Sequence, residues 1–168
     1  MVVEHLDFVW RCLRRLGIPA SDADDAAQEV FLVVSGRLED IPETKERAFL
    51  FATAARVAAN ARRSRQRRSA AYENLSHVAQ DGVEDQESLS AQRQAREVLD
   101  EVLESMPEEL REVFVSFEIE ELSVAEIAEA ADIPVGTVGS RLRRARKWFH
   151  EAVVRYRARA EFRVGVAR

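Results

Sequence analysis

A single cysteine, Cys12, leaves this 168-residue chain no partner for an internal disulfide and no second thiolate for a metal site. Histidine is nearly as sparse: His5, His77 and His150 are scattered along the sequence, so no metal centre is expected. No apolar run approaches the ~18–20 residues that span a bilayer, and the first residues lack the basic start and apolar stretch of a signal peptide. No membrane insertion is expected, and the reading is cytoplasmic. Glycine (6) and proline (4) are few, there is no glycine-rich phosphate loop, and β-branched alternation is missing. What is plentiful is apolar residues, 46% of the chain, recurring at helical spacing among 33% charged residues. That composition excludes disorder throughout and points to an all-α fold.

The helical pattern breaks at recognisable places. Leu6, Val9, Leu13 and Leu16 mark a first helix that stops at Gly17 and Pro19. Ser21 with Asp24 reads as the N-cap of a second helix through about Val34, closed by Gly36. Pro42 to Lys45 form a polar connection, and a long third helix follows from about Glu46 to Arg68, with Leu50, Ala54, Val57 and Ala61 on one face. Residues 69–92 read as a polar linker between two small helical domains, 1–68 and 93–154, with a basic tail at 155–168. In the second domain Ser105 with Glu108 and Ser123 with Glu126 read as capping boxes. Asp132-Ile133-Pro134 separates a short helix from a final one beginning near Val135 or Thr137, the arrangement of a helix-turn-helix.

Charge is distributed unevenly in a way that matters more than its total of −5. Residues 56–80 carry net +5, residues 81–140 net −14 and residues 141–168 net +8, so two cationic patches flank an acidic stretch. A chain that touches a polyanion at two places would have this pattern, although two solvated helix faces would share it. On the final helix Ser140, Arg143, Arg144 and Lys147 fall on one stripe opposite Val138, Leu142, Ala145 and Phe149. Arginines so placed can grip guanine edges or phosphates. On the third helix Arg56, Asn60, Arg63 and Arg67 form a second polar stripe. Phe49 and Phe51 upstream have two readings, stacking on a base or packing in the core. The second helix is acidic, with Asp22, Asp25, Gln28 and Glu29 on its polar face. Those carboxylates fit a docking surface, a divalent-cation site or ordinary helix-start acidity; without a partnering histidine or a nucleophile arrangement, no catalytic residues and no cofactor are expected.

The segment from Asp22 to Phe31, DADDAAQEVF, resembles the region-two block of the extracytoplasmic-function (ECF) sigma factors of bacterial RNA polymerase. The segment from Pro107 to Lys147, with PEELREVF and LSVAEIAEAADIPVGTVGSRLRRAR, resembles their region four. The resemblance covers about residues 6–68 and 93–152. It implies a non-catalytic, two-domain initiation factor whose partners are the β′ clamp helices and β flap of core RNA polymerase, promoter DNA and an anti-sigma factor. Asp22, Asp25, Gln28 and Glu29 are then expected on the clamp-binding face. The loop from Asp40 to Lys45 is expected to select a flipped minus-ten base, with Arg56, Asn60 and Arg63 along the opening strand. Thr137, Ser140, Arg141, Arg143 and Arg144 are expected on the minus-thirty-five duplex. Phe49, Arg56 and Asn60 stand where the family commonly has Trp, Asn and Asp, and Gly139 where it usually has Lys or Arg. The rival reading is a self-sufficient helix-turn-helix regulator, which would bind a two-fold operator as a dimer; the sequence offers no obvious dimer helix.

Overall fold

The computed structural model describes residues 2–37, 41–71 and 88–166. Among them it contains helices and turns but no strand. Helix α1 (Val2–Arg15), α2 (Ala20–Ser35) and α3 (Glu46–Ala71) pack on one another as the first unit. The second unit contains α4 (Ser88–Ser105), α5 (Glu108–Phe114), α6 (Val124–Ala131) and α7 (Val135–Val166). The periodic residues form the core: Val9, Leu13, Val30, Val34, Leu50, Ala54 and Val57 are buried in the first unit, and Leu103, Leu110, Val113, Val138, Leu142 and Ala145 in the second. Phe51 is buried in that core, so its ring does not stack on a base, while Phe49 packs against the core half-buried.

Helix boundaries depart from the sequence reading where proline intervenes. Pro19, not Ser21, occupies the position before α2; the helix starts at Ala20, and the Ser21 hydroxyl donates instead to Asp22 Oδ1 at 2.7 Å. Likewise Ser105 does not cap α5. It ends α4, its Oγ donates back to the carbonyls of Glu101 and Val102, and Pro107 sets the entry to α5. The box at Ser123 is present in full: the serine accepts from Glu126 N at 3.2 Å while the glutamate accepts from Ser123 N at 2.8 Å. Asp132, in the left-handed conformation at φ 53°, ends α6 and turns the chain into α7. That completes the helix-turn-helix. The expected linker is helical at both described ends, through Ala71 and from Ser88, and residues 72–87 lie outside the described residues. The basic tail continues α7 as helix to Val166.

The two units touch. α3 lies against α6 and α1 against α4. After α5 the backbone opens into a five-residue π turn, Val115–Ile119, where Glu120 N bonds to Val115 O, one residue further back than α-helical geometry allows. This turn carries Glu120 inward, where it is 4% exposed and pairs with Arg15 of α1 at 2.5 Å and Arg47 of α3 at 3.5 Å. The Arg47 guanidinium also lies 4.8 Å above the Phe8 ring. Arg111 of α5 is buried too. It donates to Leu16 O at 3.3 Å, across the junction, and to Glu104 O and Met106 O at 2.7 and 3.0 Å.

Candidate docking and nucleic-acid surfaces

α2 presents an exposed stripe opposite Ala23, Ala26, Ala27, Val30 and Val34, which are buried in the core. Asp25, Gln28 and Glu29 stand on that stripe with no hydrogen-bond or ion-pair partner among the described residues. Asp22 is also exposed, but engaged: Ser21 Oγ and then the Arg65 guanidinium, 2.9 Å away, hold its carboxyl below the ordinary range. Asp24, beside them, accepts from Trp10 Nε1 at 3.1 Å and so ties α2 to α1. Sequence reasoning missed the apolar continuation of this face. Leu32 is 70% exposed and Val33 51%, extending the Asp25–Gln28–Glu29 stripe by one turn. Periodicity treats a leucine and a valine in an apolar helix end as core; the only hint was that the run Phe31 to Val34 is too wide for a single buried face. An exposed leucine beside acidic and amide groups suits a protein partner, since it gives the buried centre and the carboxylates a charged rim. No group of His, Cys, Asp or Glu among the described residues is arranged to hold a metal ion.

The two cationic stripes form as the spacing predicts, on α3 and α7. Arg56, Asn60, Arg63 and Arg67 are all exposed along α3, and Arg63 Nη2 donates to Asn60 Oδ1 at 3.0 Å. Arg62, one residue off the stripe, faces the junction and pairs with Glu108 at 2.7 Å. Lys45 lies in a single 3-10 turn before α3 and donates to both carboxylate oxygens of Glu129 on α6. Asp40, the other residue expected there, lies outside the described residues.

On α7 the outward residues Ser140, Arg143, Arg144 and Lys147 are exposed, while Thr137 and Arg141 are half-buried at its start and flank. The Ser140 hydroxyl donates to Thr137 O at 2.9 Å, which leaves its lone pairs to accept from a ligand. Arg141 and Arg144 lean toward Glu109 of α5, and Lys147 lies 4.0 Å from Glu151. Arg143 has no ion-pair partner among the described residues. Arg146 points the other way, bonding Glu118 at 2.6 Å over the Phe117 ring, so it anchors the helix instead of presenting a charge. The helix is held from below by Phe149 stacked on Phe114, with centroids 4.8 Å apart. Between α7 and α3, burial pushes the Glu112 carboxyl up despite the facing charges of Arg141, Arg56 and Arg62. A rigid helix with an outward row of arginines, following a capped helix and a tight turn, can insert into a groove and meet phosphates and base edges.

Comparison with known proteins agrees with this geometry. Residues 1–68 match the family model of sigma-70 region 2, and residues 96–149 that of sigma-70 region 4. The ECF RNA polymerase sigma-E factor of Escherichia coli (strain K12) is 31% identical over 139 residues, which cover 77% of this chain and 73% of that protein. The ECF RNA polymerase sigma factor SigE of Mycolicibacterium smegmatis is 28% identical over 162 residues, covering 93% of this chain and 61% of the relative. Among solved structures, the sigma factor RpoE of Bartonella quintana, in complex with the anti-sigma factor NepR, superposes with a TM-score of 0.68 at 18% identity, covering 90% of this chain and 93% of that one. CnrH, in complex with the cytosolic domain of CnrY, gives 0.63 at 23% identity, with 90% and 84% covered. With the helix-turn-helix, the exposed acidic helix and both region matches in one chain, the protein belongs to the extracytoplasmic-function sigma factors of the sigma-70 family, non-enzymatic DNA-binding factors that direct transcription initiation.

Proposed function

We propose that residues 1–68 dock on core RNA polymerase and open the minus-ten element, and that residues 93–154 read the minus-thirty-five element. The observation that carries this division is the separation of faces. The acidic and apolar stripe of α2, Asp25, Gln28, Glu29 and Leu32, is a partner surface for the β′ clamp helices, with Asp22 at its margin. Arg56, Asn60, Arg63 and Arg67 on α3, with Lys45 and Asp40 before it, are the minus-ten side. Thr137, Ser140, Arg141, Arg143, Arg144 and Lys147 are the minus-thirty-five side. The second unit contacts the β flap. An anti-sigma factor is a further partner, as supported by the similar sigma factor RpoE, whose structure is a complex with the anti-sigma factor NepR. The chain works in the cytoplasm, with the polymerase.

The docking surface is tested by reversing its charges. Asp25→Lys with Glu29→Lys is expected to weaken binding to core polymerase at least tenfold, because like charges replace complementary ones at the contact. Both side chains are exposed, so circular dichroism is expected to stay that of the parent. A folded double variant with parental core affinity would remove α2 from the interface. Run-off transcription with purified core separates this reading from a stand-alone regulator, which would bind its operator without polymerase.

A further inference from the structure

Part of each surface assigned to promoter DNA is already occupied from within the chain. On α7, Arg144 Nη1 lies 3.4 Å from Glu109 Oε1, and Arg141 Nη2 lies 3.9 Å from Glu109 Oε2. Before α3, Lys45 Nζ donates to the two oxygens of Glu129 at 2.8 and 2.9 Å. Both glutamates come from the acidic stretch between the cationic segments, one from the first turn of α5 and one from α6. Glu129 is hydrogen-bonded through both oxygens and Glu109 faces a guanidinium with each of its own, so each presents to these cations the two-oxygen acceptor that a phosphodiester would. By contrast Arg143, Arg56 and Arg67 make no ion pair among the described residues. The internal carboxylates therefore sit on some of the DNA-facing cations and spare others.

We propose that Glu109 and Glu129 are internal stand-ins for promoter phosphates, holding Arg141, Arg144 and Lys45 until DNA displaces them and so lowering the chain's affinity for any duplex. The proposal rests on the reading of α7 and the Lys45 turn as promoter-facing. Exposure sets the size of the effect. Glu109 is 48% and Glu129 66% exposed, so each pair is in contact with water and weak enough for DNA to break. Such pairs tax binding instead of blocking it, and the tax falls hardest on a duplex that offers few other contacts.

The test is binding of the full chain to a short duplex lacking any promoter element, read by fluorescence anisotropy at low and at moderate salt. Glu109→Gln and Glu129→Gln are each expected to tighten binding by about two- to fivefold at low salt, the range that an exposed ion pair commands. The double variant should multiply the gains, and salt should shrink them. Glu101→Gln removes the same charge from the exposed face of α4, where no ion pair holds it among the described residues, and is expected to leave affinity near the parent's. Equal gains from Glu101→Gln would assign the effect to net charge and overturn the proposal, as would unchanged binding by the double variant. Arg143→Ala, at an arginine neither glutamate touches, tests the underlying reading. If it weakens DNA binding while the glutamate variants do nothing, only the stand-in role falls. If Arg143→Ala binds like the parent, α7 is not the DNA face and the proposal falls with it. Matching circular dichroism melts confirm that each variant is folded.

Discussion

Gly17 stands where the two units meet, and its backbone explains why the junction is tight. Its φ of +92° lies where side chains are strained, and a Cβ there would sit 2.5 Å from Arg111 Nη1. The bare turn lets Leu16 O face outward, where it accepts from both Arg62 and Arg111. Arg111 carries a cost of its own. Burial, with the like charge of Arg62, pushes its guanidinium down to about 10, and its Nε is buried without a hydrogen-bond partner among the described residues. Three carbonyl contacts compensate, and removing the arginine strips the Glu104 and Met106 carbonyls of this donor while Leu16 O keeps Arg62. Arg111→Ala is therefore expected to cost about 2–4 kcal/mol in urea unfolding. Gly17→Ala is expected to cost about 1–3 kcal/mol from the strained φ and the clash together. Because the clash partner is Arg111, the double variant should lose less than the sum of the two, whereas strictly additive losses would mean that the residues do not meet.

At the scale of elements, the sequence is legible where a helix carries its own signals. The Ser123–Glu126 box, the break at Asp132-Ile133-Pro134 and the stripes of α3 and α7 depend on residues within a few positions of one another, and each forms as expected. Ser21 and Ser105 carry the same local signal, but a proline two residues away sets the boundary first. The π turn at Val115–Ile119 carries no local signal of its own, because the run Phe114, Val115, Phe117 and Ile119 reads equally well as the end of an ordinary apolar helix. Its effect, aiming Glu120 at Arg15 and Arg47, depends on partners 105 and 73 residues away. Glu109 and Glu129 were missed for the same reason. Gly139 supplies an element-scale test: a Cβ built there meets nothing within 4 Å, so alanine gains helix propensity with no collision. Gly139→Ala is expected to stabilise the protein by about 0.5–1 kcal/mol, seen as a higher midpoint in thermal melts. A lowered midpoint would mean that α7 needs the flexibility of glycine at this turn.

Across the whole molecule, the contact between units conflicts with the span that the proposed function demands. Elements named minus-ten and minus-thirty-five lie about 25 base pairs apart, roughly 85 Å at ~3.4 Å per step. A compact chain of this length has a radius of gyration of about 15 Å. With α3 against α6, one molecule cannot reach both elements, so the proposed division of labour requires the junction to open when the factor works. What must break includes a set of polar contacts, Arg62–Glu108, Lys45–Glu129, the two pairs to Glu120 and the Arg111 bond to Leu16, along with apolar contact, since buried residues of both units share one hydrophobic cluster. Buried ion pairs fix one arrangement while adding little net stability, because desolvation offsets their attraction. That balance suits a junction that is specific yet separable. Cys12 makes the opening measurable, since burial and the nearby Glu120 carboxylate push its thiol far up and leave it protonated and unreactive. Cysteines introduced at the exposed Gln66 and His150 can then carry a donor and acceptor dye alone. The free chain is expected to give a short inter-dye distance that lengthens by tens of ångströms in a promoter-bound holoenzyme. Raising salt should lengthen it only slightly, because Glu120 is screened from solvent while the Lys45 pair is not. A distance that stays short on the promoter would place both elements on one closed surface and contradict the division of labour between α3 and α7.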